Sequence, residues 1–212
     1  MTRGHFISFE GGEGAGKSTQ ARLLREALEA RGLEVVSTRE PGGTPGAEAI
    51  RELLLHPPGE GWRAEAEALL FAAARSDHVA RLIKPALAEG KWVVCDRFID
   101  SSRAYQGGAG GLGDEQILEL HQIGSHGLLP DMCFLLEAGG EESAARLARR
   151  DAERADAIES RAADYHNGVD TAFHMIANAE PDRIRRIASS GSAEETHRAI
   201  MSALAPLLER GG

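Results

Sequence analysis

One α/β domain is what this sequence predicts, and three observations carry the prediction. An apolar run at residues 6–10 leads directly into Gly11-x-x-x-x-Gly16-Lys17-Ser18 and on into helical spacing. Short apolar runs then alternate with helical patterns to the C-terminus. No repeat, linker or composition shift divides the 212 residues, a length that buries a sizeable core without disulfides or metals.

His5 to Glu10 alternate as a strand does, and Ala21, Leu23, Leu24, Ala27 and Leu28 follow with helical spacing. Between them, Gly11, Gly14 and Gly16 can take backbone angles that side chains forbid. Successive N–H groups can therefore turn inward around phosphate oxygens at a helix N-terminus. Lys17 supplies a point charge between phosphates, and Ser18 a hydroxyl for the magnesium ion that accompanies ATP. The run Gly11, Gly12, Glu13, Gly14, Ala15, Gly16, Lys17, Ser18, Thr19 is thus the expected ATP cradle, a P-loop. Lysine occurs at 17, 84 and 91 against 21 arginines, so Lys17 is not one of many interchangeable surface cations.

Gly32 ends the first helix, and Leu33 to Thr38 read as a second strand. Arg39-Glu-Pro-Gly-Gly-Thr44 is either an ordinary turn or a site loop, since it falls where open parallel sheets bind ligands. Ala47 to Leu55 suggest a short helix, and Trp62 to about Glu89 a long one interrupted in pattern by Pro85. On the long helix Ala66, Leu69, Leu70 and Ala73 form one stripe. Phe71 and Arg75 project together from roughly the opposite side, either to pack on a neighbour or to form a stacking platform with a donor beside it.

Trp92-Val-Val-Cys95 reads as a buried strand ending in Asp96-Arg97, where a carboxylate beside a P-loop strand orders magnesium; a plain ion pair is the alternative. Residues 101–113 are too rich in glycine to stay helical throughout. Asp114 is placed to cap a helix through Gly124, and Met132 to Glu137 form a fourth strand. From Arg146 to Arg161, acids interleave five arginines with hardly any large apolar residue. That run reads as a solvated ion-pair helix or, beside a P-loop, as a mobile lid. A helix through Ala177, a strand at Ile184 to Ala188 and a helix to about Leu208 close the chain.

A net charge of −9 and a pI near 5.4 oppose binding to a nucleic-acid polymer, which draws its affinity from basic surface. Single nucleotides remain open. Cys95 and Cys133 sit in short apolar runs, as buried reduced thiols do. The first strand starts near Met1, leaving no room for a signal peptide, and no apolar run approaches ~18 residues, so a soluble cytoplasmic protein is expected. The eight histidines form no metal-binding array, and no Gly-x-Ser-x-Gly elbow is present.

Five segments in order now carry a resemblance: Phe9 to Thr19, Thr38-Arg-Glu-Pro-Gly-Gly-Thr44, Leu70-Phe-Ala-Ala-Ala-Arg75, Asp96-Arg-Phe98 and Ser102-Arg-Ala-Tyr-Gln-Gly107. Over nearly its full length the chain resembles bacterial thymidylate kinase. The resemblance implies the P-loop nucleoside monophosphate kinase fold, a three-layer sandwich whose five-stranded parallel sheet has helices on both faces. It implies transfer of the γ-phosphoryl of Mg-ATP to dTMP, and a homodimer. Phe71 resembles the ring that stacks on thymine, Arg75 the donor to its exocyclic carbonyl, and Arg97 the clamp on the dTMP phosphate, with Arg39 nearby. Glu13 is similar to the carboxylate near sugar and acceptor phosphate. Tyr105 and Gln106 resemble residues flanking sugar and base, and Ser102 of the same segment is grouped with them. Ser18 and Asp96 are the expected magnesium partners, and Lys17, Arg97, Glu13 and Arg154 the catalytic set.

Two segments depart from the resemblance. The lid run, about 146–161, reads Asp156-Ala157-Ile158-Glu159 where an arginine is usual after the aspartate, so Arg154, one helical turn back, is the expected source of that charge, with Arg150 in reserve. Val169-Asp170-Thr171-Ala172-Phe173 has aspartate where arginine is common. A P-loop switch reading GTP would need Asn-Lys-x-Asp and a strand-end Asp-x-x-Gly, which are absent. A kinase for another pyrimidine monophosphate is the nearer rival.

Overall fold

The computed structural model describes residues 3–138, 157–158 and 161–210. The expected lid therefore lies outside the described residues apart from 157, 158 and 161, and Arg150 and Arg154 are among those left out. Five strands form one parallel sheet in the order β2-β3-β1-β4-β5: β1 Phe6–Glu10, β2 Val35–Arg39, β3 Trp92–Asp96, β4 Met132–Glu137 and β5 Ile184–Ala188. This is the expected five-stranded α/β architecture. The central strand is buried at every position, with Phe9 level with Asp96 on one side and Phe134 on the other.

Side-chain alternation divides the core between two faces. Ile7 and Phe9 pack with Leu24 and Leu28 of α1 Lys17–Glu29, and with Ile200 and Leu204 of the C-terminal helix, Ala193–Arg210. Phe6, with Val93 and Cys95 of β3, packs on the opposite face against Ile83 and Leu87. Phe6, Phe9 and Phe134 are fully buried, so truncating any of them to alanine should cost about 3–5 kcal/mol.

Six further α-helices lie among the described residues. Helix α2 is Pro45–Leu55, and α3 Ala64–His78 continues through a π turn, Val79–Ile83, into α4 Lys84–Ala88. Pro85 falls in the first turn of α4, directly after the π segment. Helix α5 Ile99–Ser102 runs into a second π segment, Arg103–Ala109, followed by α6 Asp114–Ser125. Helix α7 is Ala163–Ala179, which makes the C-terminal helix α8. Ser192 and Glu195 cap α8 reciprocally: the Ser192 Oγ accepts from the Glu195 N–H at 3.1 Å, and Glu195 Oε2 from the Ser192 N–H at 2.8 Å.

Three local expectations change. The second strand starts at Val35 rather than Leu33. The glycine-rich stretch, as expected, does not stay helical throughout: its π segment ends at Ala109, and Gly111 and Gly113 beyond it take positive φ, while Gly108 lets the segment meet α7, since a β-carbon there would collide with Ala172. Asp114 opens α6 without capping it: its carboxylate accepts from Arg103 Nε at 2.7 Å and Nη2 at 2.8 Å instead. On α3 the buried residues are Glu67, Ala68, Ala74, Arg75 and His78, while Leu69 of the apolar stripe is 56% exposed. Polar groups occupy the inner side of that helix because partners on other elements satisfy them, Glu40 pairing with Arg75 and His78 and Gln106 with Glu67. Among the described residues no helix is long and apolar enough to cross a membrane, and both cysteines are free and buried.

Candidate active site

The loop from Gly11 to Gly16 folds as a cradle because glycine stands where φ is positive: 135° at Gly11, 73° at Gly14 and 95° at Gly16, the residue that caps α1. A β-carbon on Gly11 would also stand 2.5 Å from the Leu136 carbonyl oxygen. Lys17 Nζ bridges the loop, donating to the Gly11 carbonyl at 3.1 Å and that of Gly12 at 2.7 Å. Burial, seconded by the charge of Arg97, pulls its pKa down to about 8. An ammonium held this way has a strong electrostatic reason to accept phosphate oxygens as partners. At the mouth of the loop the Ser18 hydroxyl donates to Asp96 Oδ2 at 2.5 Å, which brings the two expected magnesium partners together.

A cavity of about 460 Å³ runs from this cradle to α3. Glu13, Gly14, Gly16, Lys17, Ser18 and Thr19 line one end, while Gly11, Gly12 and Ala15 complete the loop without lining the cavity. Phe71, Arg75, Ser102, Tyr105 and Gln106 line the other end, with Arg39, Asp96 and Arg97 between. Five cationic side chains (Lys17, Arg39, Arg51, Arg75, Arg97) face three carboxylates (Glu13, Glu40, Asp96) on its wall. A chain of net charge −9 therefore keeps a locally positive cavity, as anionic ligands require.

Arg97 stands at the middle of that cavity with φ at 67°, a left-handed conformation that costs a non-glycine residue roughly 1–3 kcal/mol and tends to persist where function needs it. Its guanidinium donates to the Gly11 carbonyl at 3.2 Å, to Ser101 Oγ at 3.0 Å and to Tyr105 Oη at 3.3 Å, and forms an ion pair with Glu13. Tyr105 Oη in turn donates to Glu13 Oε1 at 3.1 Å, and its ring lies under the Arg97 guanidinium at 5.1 Å. Burial alone would lower the Arg97 pKa, but the Tyr105 oxygen and the Glu13 and Asp96 carboxylates beside it outweigh that and hold it above the usual arginine range. Arg39 is more exposed, and Glu48 accepts from its Nη2 at 3.1 Å through both oxygens.

At the far end, Arg75 is buried among polar partners. Its Nε donates to Glu40 Oε2 at 2.7 Å, and its Nη2 to Ser102 Oγ at 2.8 Å. Glu40 also accepts from His78 Nδ1 at 3.0 Å. Burial alone would raise the Glu40 pKa, but Arg75 and His78 outweigh it and hold the carboxyl below its usual range. Phe71 lies half-buried on the same wall. The Gln106 amide donates to Glu67 Oε1 at 2.9 Å.

Sequence reasoning missed several residues of this wall. Glu40 stood inside a quoted loop, and its signal was available: a carboxylate flanked by arginine and proline, just past a strand end. Glu67, which stands behind that wall against Gln106, could have been found as an acid four residues before Phe71 on the same helix face. Arg51 donates from Nη1 to the Pro41 carbonyl at 2.8 Å and lines the cavity with Leu55 and Ile158, which no local pattern announces.

The chain can be set beside known proteins on this geometry. A family model described as "Thymidylate kinase" matches residues 9–200. The chain is 57% identical over 205 residues to a protein named thymidylate kinase from Rhizorhabdus wittichii, covering 97% of this chain and 99% of that one. It is 50% identical over 204 residues to a thymidylate kinase from Rhodopseudomonas palustris strain TIE-1, covering 95% and 89%. The crystal structure of a thymidylate kinase from Ehrlichia chaffeensis superposes with a TM-score of 0.76 at 33% identity, covering 95% of this chain and 99% of that one.

Proposed function

The chain belongs to the thymidylate kinase family and phosphorylates dTMP with ATP as donor, giving dTDP and ADP for dTTP synthesis; from that premise we propose how its residues divide the work. The observation that carries the division is the single cavity joining the phosphate cradle to the Phe71 and Arg75 wall. ATP phosphates lie in the Gly11 to Thr19 loop and take Lys17 Nζ away from its two carbonyls. The dTMP base lies on Phe71 with Arg75 as donor to an exocyclic carbonyl, and its phosphate meets Arg97 and, nearer the mouth, Arg39. Ser102, Tyr105 and Gln106 flank sugar and base. In exchange for phosphate, Arg97 loosens from Glu13, whose carboxylate then faces the sugar.

The acceptor is a phosphate oxygen, already largely ionised at neutral pH with a second pKa of about 6, so no general base is required. Lys17, the loop amides and Arg97 align two anionic groups and offset the charge gathered between them. Ser18 and Asp96 would hold magnesium. Hard oxygen donors 2.5 Å apart fit an ion that binds through one or two protein oxygens and substrate phosphates, and no cluster of three or more histidine, cysteine or acidic ligands occurs among the described residues. That ion supplies charge neutralisation at the transferring phosphoryl. Arg154 of the lid segment adds charge at the transition state in this reading.

A thymine carbonyl accepts from Arg75, whereas cytosine would present an amine there and leave two donors facing each other in a desolvated pocket. The reading further includes one domain, a homodimer and a cytoplasmic location, the last supported by two buried free thiols. ADP formation measured with dTMP, dUMP, UMP and dCMP tests the substrate assignment. A rate with UMP or dCMP equal to that with dTMP would overturn it.

A further inference from the structure

Arg161 ends the arginine-rich run, yet its contacts lead to the base end of the cavity. Its Nη2 pairs with Glu67 on α3, and its Nη1 donates to Tyr165 Oη at 2.6 Å, with the guanidinium 4.6 Å from the centre of that ring. Each partner reaches a wall residue. Glu67 Oε1 accepts from Gln106 Nε2 at 2.9 Å, and Tyr165 Oη donates to the Tyr105 carbonyl at 2.9 Å. Arg161 precedes α7 and Tyr165 lies in its first turn, so a single guanidinium spans two separate routes into the π segment that carries Tyr105 and Gln106.

We propose that Arg161 is a positioning residue for the acceptor nucleotide: through Glu67 it fixes the Gln106 amide, and through Tyr165 it fixes the backbone of Tyr105. The inference rests on the reading that Phe71, Tyr105 and Gln106 bind dTMP. The Glu67 side chain is 8% exposed, and Arg161 is a cation paired with it there. Because a carboxylate only accepts, it also decides which end of the Gln106 amide faces it: the NH2 group must, and the carbonyl becomes the accepting end. Without Arg161, the Glu67 carboxylate loses its charge partner and turns toward solvent, which releases the Gln106 amide from a defined orientation, and the Tyr165 hydroxyl loses its own donor at the same time. The charged run is thus tied at its C-terminal end to the base wall rather than to the phosphates.

Calorimetric titration of the full chain with dTMP, and separately with ATP, tests this. Arg161→Ala is expected to weaken dTMP about 10-fold or more, as for loss of a buried charge partner, with ATP affinity within about twofold of wild type. Arg161→Lys should recover part of the loss, since an ammonium reaches Glu67 but cannot span both partners. Wild-type dTMP affinity in Arg161→Ala overturns the inference. Should that variant fail to fold, Glu67→Gln and Tyr165→Phe each cut one route and are each expected to weaken dTMP severalfold; wild-type affinity in both overturns it equally. Phe71→Ala in the same assay separates the two levels. Unchanged dTMP affinity there removes the underlying pocket reading, whereas loss in Phe71→Ala with none in Arg161→Ala removes this inference alone.

Discussion

Glu10 ends the central strand where solvent does not reach it, and its neighbours set its charge. The Phe98 N–H donates to one oxygen at 2.7 Å and the Ser101 hydroxyl to the other at 2.5 Å, while burial and the charge of Asp100 push its pKa up to about 8 against the pull of Ser101, Arg97 and Phe98. The folded chain therefore holds a proton that the unfolded chain, at an ordinary 4.5, has released. The stability this group contributes is fully present below about pH 4.5 and is lost as pH rises through about 8. Glu10→Gln keeps the shape and cannot ionise. Its melting temperature should vary less with pH than wild type between pH 5 and 8 and should be the higher of the two at pH 8; parallel curves would remove Glu10 as the titrating group.

At the scale of the element, α3 shows why an apolar stripe can mislead. Hydrophobic spacing located the helix, but the side it turns inward carries Glu67, Arg75 and His78, because partners on β2, α5 and the second π segment satisfy those groups. Arg75→Ala would leave Glu40 short of its cation at a cost of roughly 3–5 kcal/mol, mixing folding with binding. Phe71 is half-buried and free of that network's ion pairs, so it isolates the ligand effect. Phe71→Ala is expected to raise the KM for dTMP at least 10-fold, the scale of losing one aromatic stacking contact, with the KM for ATP nearly unchanged. Equal losses for both nucleotides in steady-state assays would make Phe71 a packing residue. Below the same edge, Asp100 accepts from Arg183 Nη1 at 2.7 Å and Arg103 Nη1 at 3.1 Å, which joins α5, the π segment and the start of β5 through a buried ionic cluster away from the cavity.

Two predictions concern the whole molecule. Leu69 on α3 is 56% exposed and Ile123 on α6 is 77% exposed, on two helices that pack together, and a homodimer would use this apolar surface. Light scattering should give twice 22.6 kDa for wild type and 22.6 kDa for Leu69→Asp with Ile123→Asp; an unchanged mass for the double variant would place any interface elsewhere. Arg154→Ala is expected to lower kcat by ~10²-fold or more with dTMP affinity nearly unchanged, as for a contact made mainly in the transition state. Normal turnover by that variant would leave the charged run a solvated ion-pair segment.

The sequence by itself determined the sheet, the phosphate cradle and the family, because each is written locally. Alternation placed β1, the three glycines of the cradle needed positive φ, and short quoted segments carried Phe71, Arg75, Asp96, Arg97 and Tyr105 into one ordered set. It also supplied the polar residues at 40, 67 and 161 without saying what they do. Their roles depend on partners 35, 39 and 94 positions away, Arg75 for Glu40, Gln106 for Glu67 and Glu67 for Arg161. Only the tertiary structure decided which side of α3 is buried and that Asp114 pairs with Arg103 instead of capping its helix. A buried charge takes its meaning from the groups that desolvate and neutralise it, and chain folding, not local periodicity, brings those groups within reach.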